Sequence, residues 1–170
     1  MRHLIKMILV SLMVVILSSM VYARSTRCEV ESLRGLKGVN VTVEDLKSDI
    51  EADGLRKDSI QTDVELKLRL AGIKVLTEEE QFKEPGYPYL YVNVNSVKSN
   101  LAPTYAFSIE ISLKQVVLLV RDLKIRVFAA ATWRKGSVGI VGEQKVDSIR
   151  DGVKDGVDEF INDYLSVNPK

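Results

Sequence analysis

The chain has 170 residues, with 24 Lys+Arg against 23 Asp+Glu, one histidine and one cysteine. That is the length of one ordinary domain, and its near-balanced charge gives no broad electrostatic drive toward nucleic acid or an anionic membrane. The lone cysteine excludes an intramolecular disulfide, and the lone histidine, His3, falls inside an export-type N-terminus. Whatever follows that segment has no histidine for a Ser-His-Asp or Cys-His site, a histidine general base or a mixed Cys/His zinc site.

Arg2, His3 and Lys6 open the chain with positive charge, and Met7 to Leu17 is apolar apart from Ser11. Val21-Tyr22-Ala23 then matches a signal-peptidase site, so residues 1–23 are expected to be a signal peptide cleaved after Ala23. The strongly apolar run is about half of the ~20 residues that a spanning helix needs, and an uncleaved anchor is the alternative. Cys28 follows Arg27 and so lacks the small residues of a lipidation site. Removing 23 of the 170 residues leaves 147, enough to bury about two-thirds of the unfolded surface. Arg2 and Lys6 leave with the signal, so 22 basic residues then face 23 acidic ones.

Residues 24–37 are polar and aperiodic and are expected to be a flexible lead-in to a single domain over 38–167. Val39, Val41 and Val43 alternate with Asn40 and Thr42 as a short strand. Glu44 to Gly54 is an acidic connection. From Asp63 to Leu70, charged and apolar residues alternate as in a strand, but the residue types favour helix. A capping box at Asp58/Gln61, a Glu65–Arg69 pair and a stop at Gly72 predict a helix over 59–71. Ile60, Val64, Leu68 and Ala71 would form its apolar stripe, widened by Leu66 and Leu70.

A short strand is expected at Ile73–Leu76, and Thr77 to Pro88 reads as a surface loop. Tyr89 to Lys98 alternates as a strand, and so do Tyr105, Phe107, Ile109, Ile111 and Leu113 in a longer one. Val116 to Val120 is apolar throughout, which a bulge or burial on both faces would explain. After a turn at Arg121–Lys124, a strand over Ile125–Arg134 places Trp133 on its apolar face. Gly136 to Gly142 reads as a loop. A closing helix over 143–165 presents Val146, Ile149, Val153, Val157, Phe160, Ile161 and Tyr164. The order β-α-β-β-β-β-α predicts an α+β two-layer sandwich: an antiparallel or mixed sheet of about five strands with two helices on one face.

Few residue patterns suggest chemistry. Asp49-x-Glu51-x-Asp53-Gly54 opens like a calcium loop, but Lys57 and Ile60 stand where further ligands belong, so no metal is expected. Gly136-x-x-Gly139-x-x-Gly142 has neither phosphate-loop nor dinucleotide spacing, and no cofactor is expected. Glu78-Glu79-Glu80 reads as solvated charge. Tyr87, Tyr89 and Tyr91 suit a groove or ordinary cross-strand packing. Gly152 and Gly156 mark a close approach of the last helix, to the sheet or to a second copy.

The expectation is a periplasmic or extracellular, non-enzymatic domain binding a protein partner or itself. Its candidate surface is the open sheet face: Ser108, Glu110, Ser112, Lys114, Val116, Leu118, Arg126, Thr132 and Arg134. The alternatives are a small carboxylate-dependent hydrolase of wall or surface glycans and a membrane-anchored module if the signal stays attached.

Overall fold

The computed structural model describes residues 27–169. The signal segment 1–23, with its cleavage residue Ala23, lies outside them. The described chain is α+β, with one mixed four-stranded sheet and five helices. A helical turn at 27–31 (α1) precedes β1 (Asn40–Val43), α2 (Ser48–Ala52), α3 (Lys57–Leu70) and α4 (Glu78–Gln81). Then come β2 (Tyr89–Lys98), β3 (Thr104–Leu119) and β4 (Asp122–Gly142). A 3-10 segment (Glu143–Ser148) leads into α5 (Ile149–Val167).

Strands run in the order β1-β2-β3-β4. β1 lies parallel to β2, which requires a crossover, and α2 to α4 supply it. β2, β3 and β4 are successive antiparallel neighbours. Alternation does what the sequence pattern implies: Leu90, Val92, Val94, Tyr105, Ile109, Ile111, Leu113 and Trp133 are buried on one face. Ile60, Val64 and Leu68 of α3, with Val153, Val157 and Phe160 of α5, complete this core. Trp133 and Phe160 meet edge-on, ring centroids 5.2 Å apart. Arg150 joins the two helices through a double hydrogen bond to Asp63, at 2.8 and 3.0 Å.

The paired glycines of α5 serve the sheet. A Cβ at Gly152 would lie 2.9 Å from Ile109 Cδ1, and one at Gly156 only 2.6 Å from Ile111 Cδ1. Their absence lets the helix settle onto β3.

Several expectations need correction. Residues 73–76 are no strand but contribute one isolated bridge, Val75 to Val39, so the sheet has four strands and not five. The presumed loop Gly136–Gly142 is the end of β4, paired with β3 from Thr104 to Glu110. Glycine is poor in strands, but here it makes room: a Cβ at Gly139 would lie 2.6 Å from the Phe107 ring opposite. The lead-in, from residue 27 onward, is folded onto the core. Leu33 is fully buried, its carbonyl accepts from Asn168 Nδ2 at 2.9 Å, and Tyr164 donates to the Leu36 carbonyl at 2.7 Å.

Smaller differences follow the same physics. α3 begins without a side-chain cap; Gln61 donates instead to the Val41 carbonyl, while the Glu65–Arg69 pair forms at 2.7 Å. Leu66 and Leu70 are exposed. The capping box is one turn of α4, where Thr77 and Glu80 bond reciprocally inside the expected loop. β4 starts at Asp122, so the turn is only Val120–Arg121. The final helix is two pieces, the 3-10 segment, itself kinked at Lys145, and α5.

Candidate functional site

Three regions could carry function, and cross-strand register defines the first. On the face of the sheet opposite α3 and α5, Val97, Ala106 and Ile140 form one row, and Asn95, Ser108 and Val138 the next. Asn93, Glu110 and Gly136 follow, then Tyr91, Ser112 and Arg134. Val138 and Ile140 are 84% and 79% exposed, so the face is apolar at one end and polar at the other. At the polar end the Tyr91 hydroxyl donates to Glu44 at 2.8 Å, and Lys114 Nζ sits 3.3 Å from the Tyr91 ring centroid. Burial, seconded by the Glu44 carboxylate, pushes the Tyr91 hydroxyl up to about 12. Ser112 is buried beneath this group, with no hydrogen-bond partner for its hydroxyl.

The predicted surface residues divide. Ser108, Glu110, Ser112, Lys114 and Arg134 do share the face. Thr132 does not: it is bulged out between the pairs Leu113–Trp133 and Lys114–Ala131. Its hydroxyl accepts from Gln115 Nε2 at 2.8 Å, and its carbonyl from Ser32 Oγ at 3.0 Å. Val116, Leu118 and Arg126 belong to a second region.

That region is a two-stranded arm. β2 begins at Tyr89, opposite Lys114, so β3 and β4 continue past the sheet as a ribbon over about 115–131. Register shifts flank Lys114 and Val117, and Ala129 takes a left-handed φ of 56° at the second of them. The uniformly apolar run Val116–Val120 is thus explained by bulges, not by burial on both faces. Leu118, Val120, Leu123, Ile125 and Phe128 are exposed, Val120 at 95%. Among the described residues, no carboxylate pairs with Arg121, Lys124 or Arg126.

The third region, at the opposite end of the sheet, is a cleft of about 650 Å³ lined by Asp53, Pro103, Gly142, Glu143, Gln144 and Lys145. Lys98 Nζ reaches Asp53 at 2.8 Å and Glu143 at 3.1 Å, and the Tyr105 hydroxyl donates to Asp53 at 2.5 Å. Hydrogen bonds from Lys98 first and Tyr105 second hold the Asp53 carboxyl below the ordinary aspartate value. Lys98 is correspondingly raised, chiefly by Asp53 and then Glu143.

The remaining sequence candidates scatter. Asp49 accepts from the backbone of Ile50 while Asp53 turns to Lys98, so the calcium-like carboxylates do not converge. Among the described residues no cluster suits a metal ion. Tyr87 packs edge-on against Phe82, apart from Tyr89 and Tyr91 on the sheet. Sequence reasoning missed Val138 and Ile140, although their alternation with Ser137, Gly139 and Val141 is a strand signal. It also missed Asp53, Lys98, Tyr105 and Glu143, which come from four separate stretches with no shared motif.

No protein-family model matches the chain, and no curated protein matches it either. Among the described residues, no helix is long and apolar enough to cross a membrane.

Proposed function

We propose that this chain is an exported, non-catalytic cell-envelope domain, cleaved after Ala23, that binds a partner protein or a second copy of itself across the open face of its two-layer sandwich. The observation that carries this reading is the apolar end of that face. Val138 and Ile140 on β4 and Val97 on β2 are exposed in adjacent rows, and no further strand is paired with the outer edge of β4 among the described residues. Sheet edges in stable monomers are usually blunted by charge, proline or a covering element, and Gly136 to Gly142 has no charge or proline. Such an edge accepts an added strand through backbone hydrogen bonds, and flanking apolar side chains select what lies over it.

Crosslinking in cells followed by mass spectrometry tests the partner, and sedimentation tests self-association. Ile140→Asp or Glu110→Lys is expected to abolish whichever association the wild type shows while leaving the fold intact. A monomeric wild type, with every variant retaining the same crosslinks, would overturn the proposal.

A glycan hydrolase is the second reading, and the cleft favours it. Asp53 and Glu143 oxygens both contact Lys98 Nζ, at 2.8 and 3.1 Å, so two carboxyls meet beside the cleft, as that chemistry needs. That chemistry requires a carboxyl kept protonated, however, and Lys98 keeps Asp53 ionised. Glycan release by the wild type that Asp53→Asn abolishes would reinstate the hydrolase.

A further inference from the structure

We propose that the β3–β4 arm is a lipid-contacting finger, whose tip enters the interface of an anionic phospholipid membrane and holds this end of the domain against it. The arm is apolar where solvent reaches it: Leu118, Val120, Leu123, Ile125 and Phe128 project from a ribbon that, among the described residues, pairs with no third strand. Isolated two-stranded ribbons are marginal in water, so a sequence this apolar gains most from a second phase. Its charge is of one kind. Arg121, Lys124 and Arg126 stand at and beside the turn, against Asp122 alone. Apolar side chains interleaved with unpaired cations suit an interface of acyl chains beneath anionic headgroups, each cation adding attraction that salt screens. The near-neutral charge of the whole chain conceals this local excess.

The path of the chain points the same way. Ser32, directly after α1, hydrogen-bonds to Thr132 at the arm's root. The start of the described chain, at α1, is therefore tied to the arm's root. Leu101, 98% exposed, lies in the β2–β3 connection at the far end and marks the side turned away.

The test uses the full chain, so the N-terminal residues contribute equally to every sample. In a Cys28→Ser background, Val120→Cys or Leu101→Cys carries an environment-sensitive fluorophore. Each protein is mixed with vesicles of phosphatidylcholine, alone or with an equal part of phosphatidylglycerol, containing a nitroxide-labelled lipid. The probe at position 120 is expected to shift to the blue and be quenched on anionic vesicles, and less on neutral ones, while that at 101 is unchanged. Arg121→Glu with Lys124→Glu should weaken vesicle binding at the arm on the order of tenfold, with Trp133 emission reporting an intact core. Equal quenching at 120 and 101, or equal quenching on neutral and anionic vesicles, overturns the proposal. A concentration-dependent blue shift at 120 without lipid also overturns it, because the arm would then be meeting another protein copy. The open-face proposal is read separately through Ile140→Asp, so the two can fail independently.

Discussion

The two ends of the sheet solve opposite problems with the same strands. At the cleft end, Lys98, Tyr105, Asp53 and Glu143 satisfy one another. At the arm end, among the described residues, Arg121, Lys124 and Arg126 have no carboxylate partner and large apolar side chains are exposed. A chain under pressure only to fold would treat both ends alike, since unpaired charge and exposed hydrophobic surface contribute little stability. The contrast teaches that, among the described residues, the polar groups of one end are matched to each other while those of the other end are not.

Three outcomes would sharpen or break that contrast. The largest concerns the core common to both ends. Phe160→Ala removes the ring packed against Trp133 and should cost about 3–5 kcal/mol in urea denaturation; an unchanged midpoint would break the packing scheme. The second tests the cleft through pH. Asp53 has its carboxyl depressed below the ordinary 3.8, so its contribution is present above that pH and lost as pH falls through its own lower value. Asp53→Asn should therefore lower the urea midpoint at pH 7, and the gap from wild type should close as pH falls below the ordinary aspartate value and through that of Asp53. A gap of constant size across that range would mean that ion pairing is not what matters there. The smallest effect is on the arm: Leu123→Asp, at an exposed position, should change folding stability by less than about 0.5 kcal/mol. A larger loss would make the arm part of the folding unit and erase the difference between the ends.

Legibility in the sequence followed locality. α3, α5, β2 and most of β3 are readable because each has an apolar face periodic within one stretch, and Trp133 could be placed against Phe160 on that basis. Gly136 to Gly142 misled because three glycines signal a turn locally, whereas Phe107 across the strand makes glycine fit at 139. Ile73–Leu76 has strand composition, but only Val75 meets a partner. On the open face, Ser108 to Lys114 could be assigned by alternation, until a bulge near Thr132 ended the register. The cleft was invisible for another reason. Its four polar groups converge only after β2, β3 and the segment following β4 come to one end, and nothing local records that.

The glycines of α5 bear on the order in which the molecule takes shape. Each costs about 1 kcal/mol of helix propensity relative to alanine, so α5 depends on the surface it docks against more than on its own sequence. That surface is β3, already flanked by β2 and β4, with Ile109 and Ile111 waiting to fill the space over Gly152 and Gly156. During synthesis the sheet can therefore zip early as two consecutive hairpins with α3 already made, yet the part of β3 that meets Gly152 and Gly156 stays bare until α5 has been made. The core positions of Val153, Val157 and Phe160 are therefore the last in chain order to be filled.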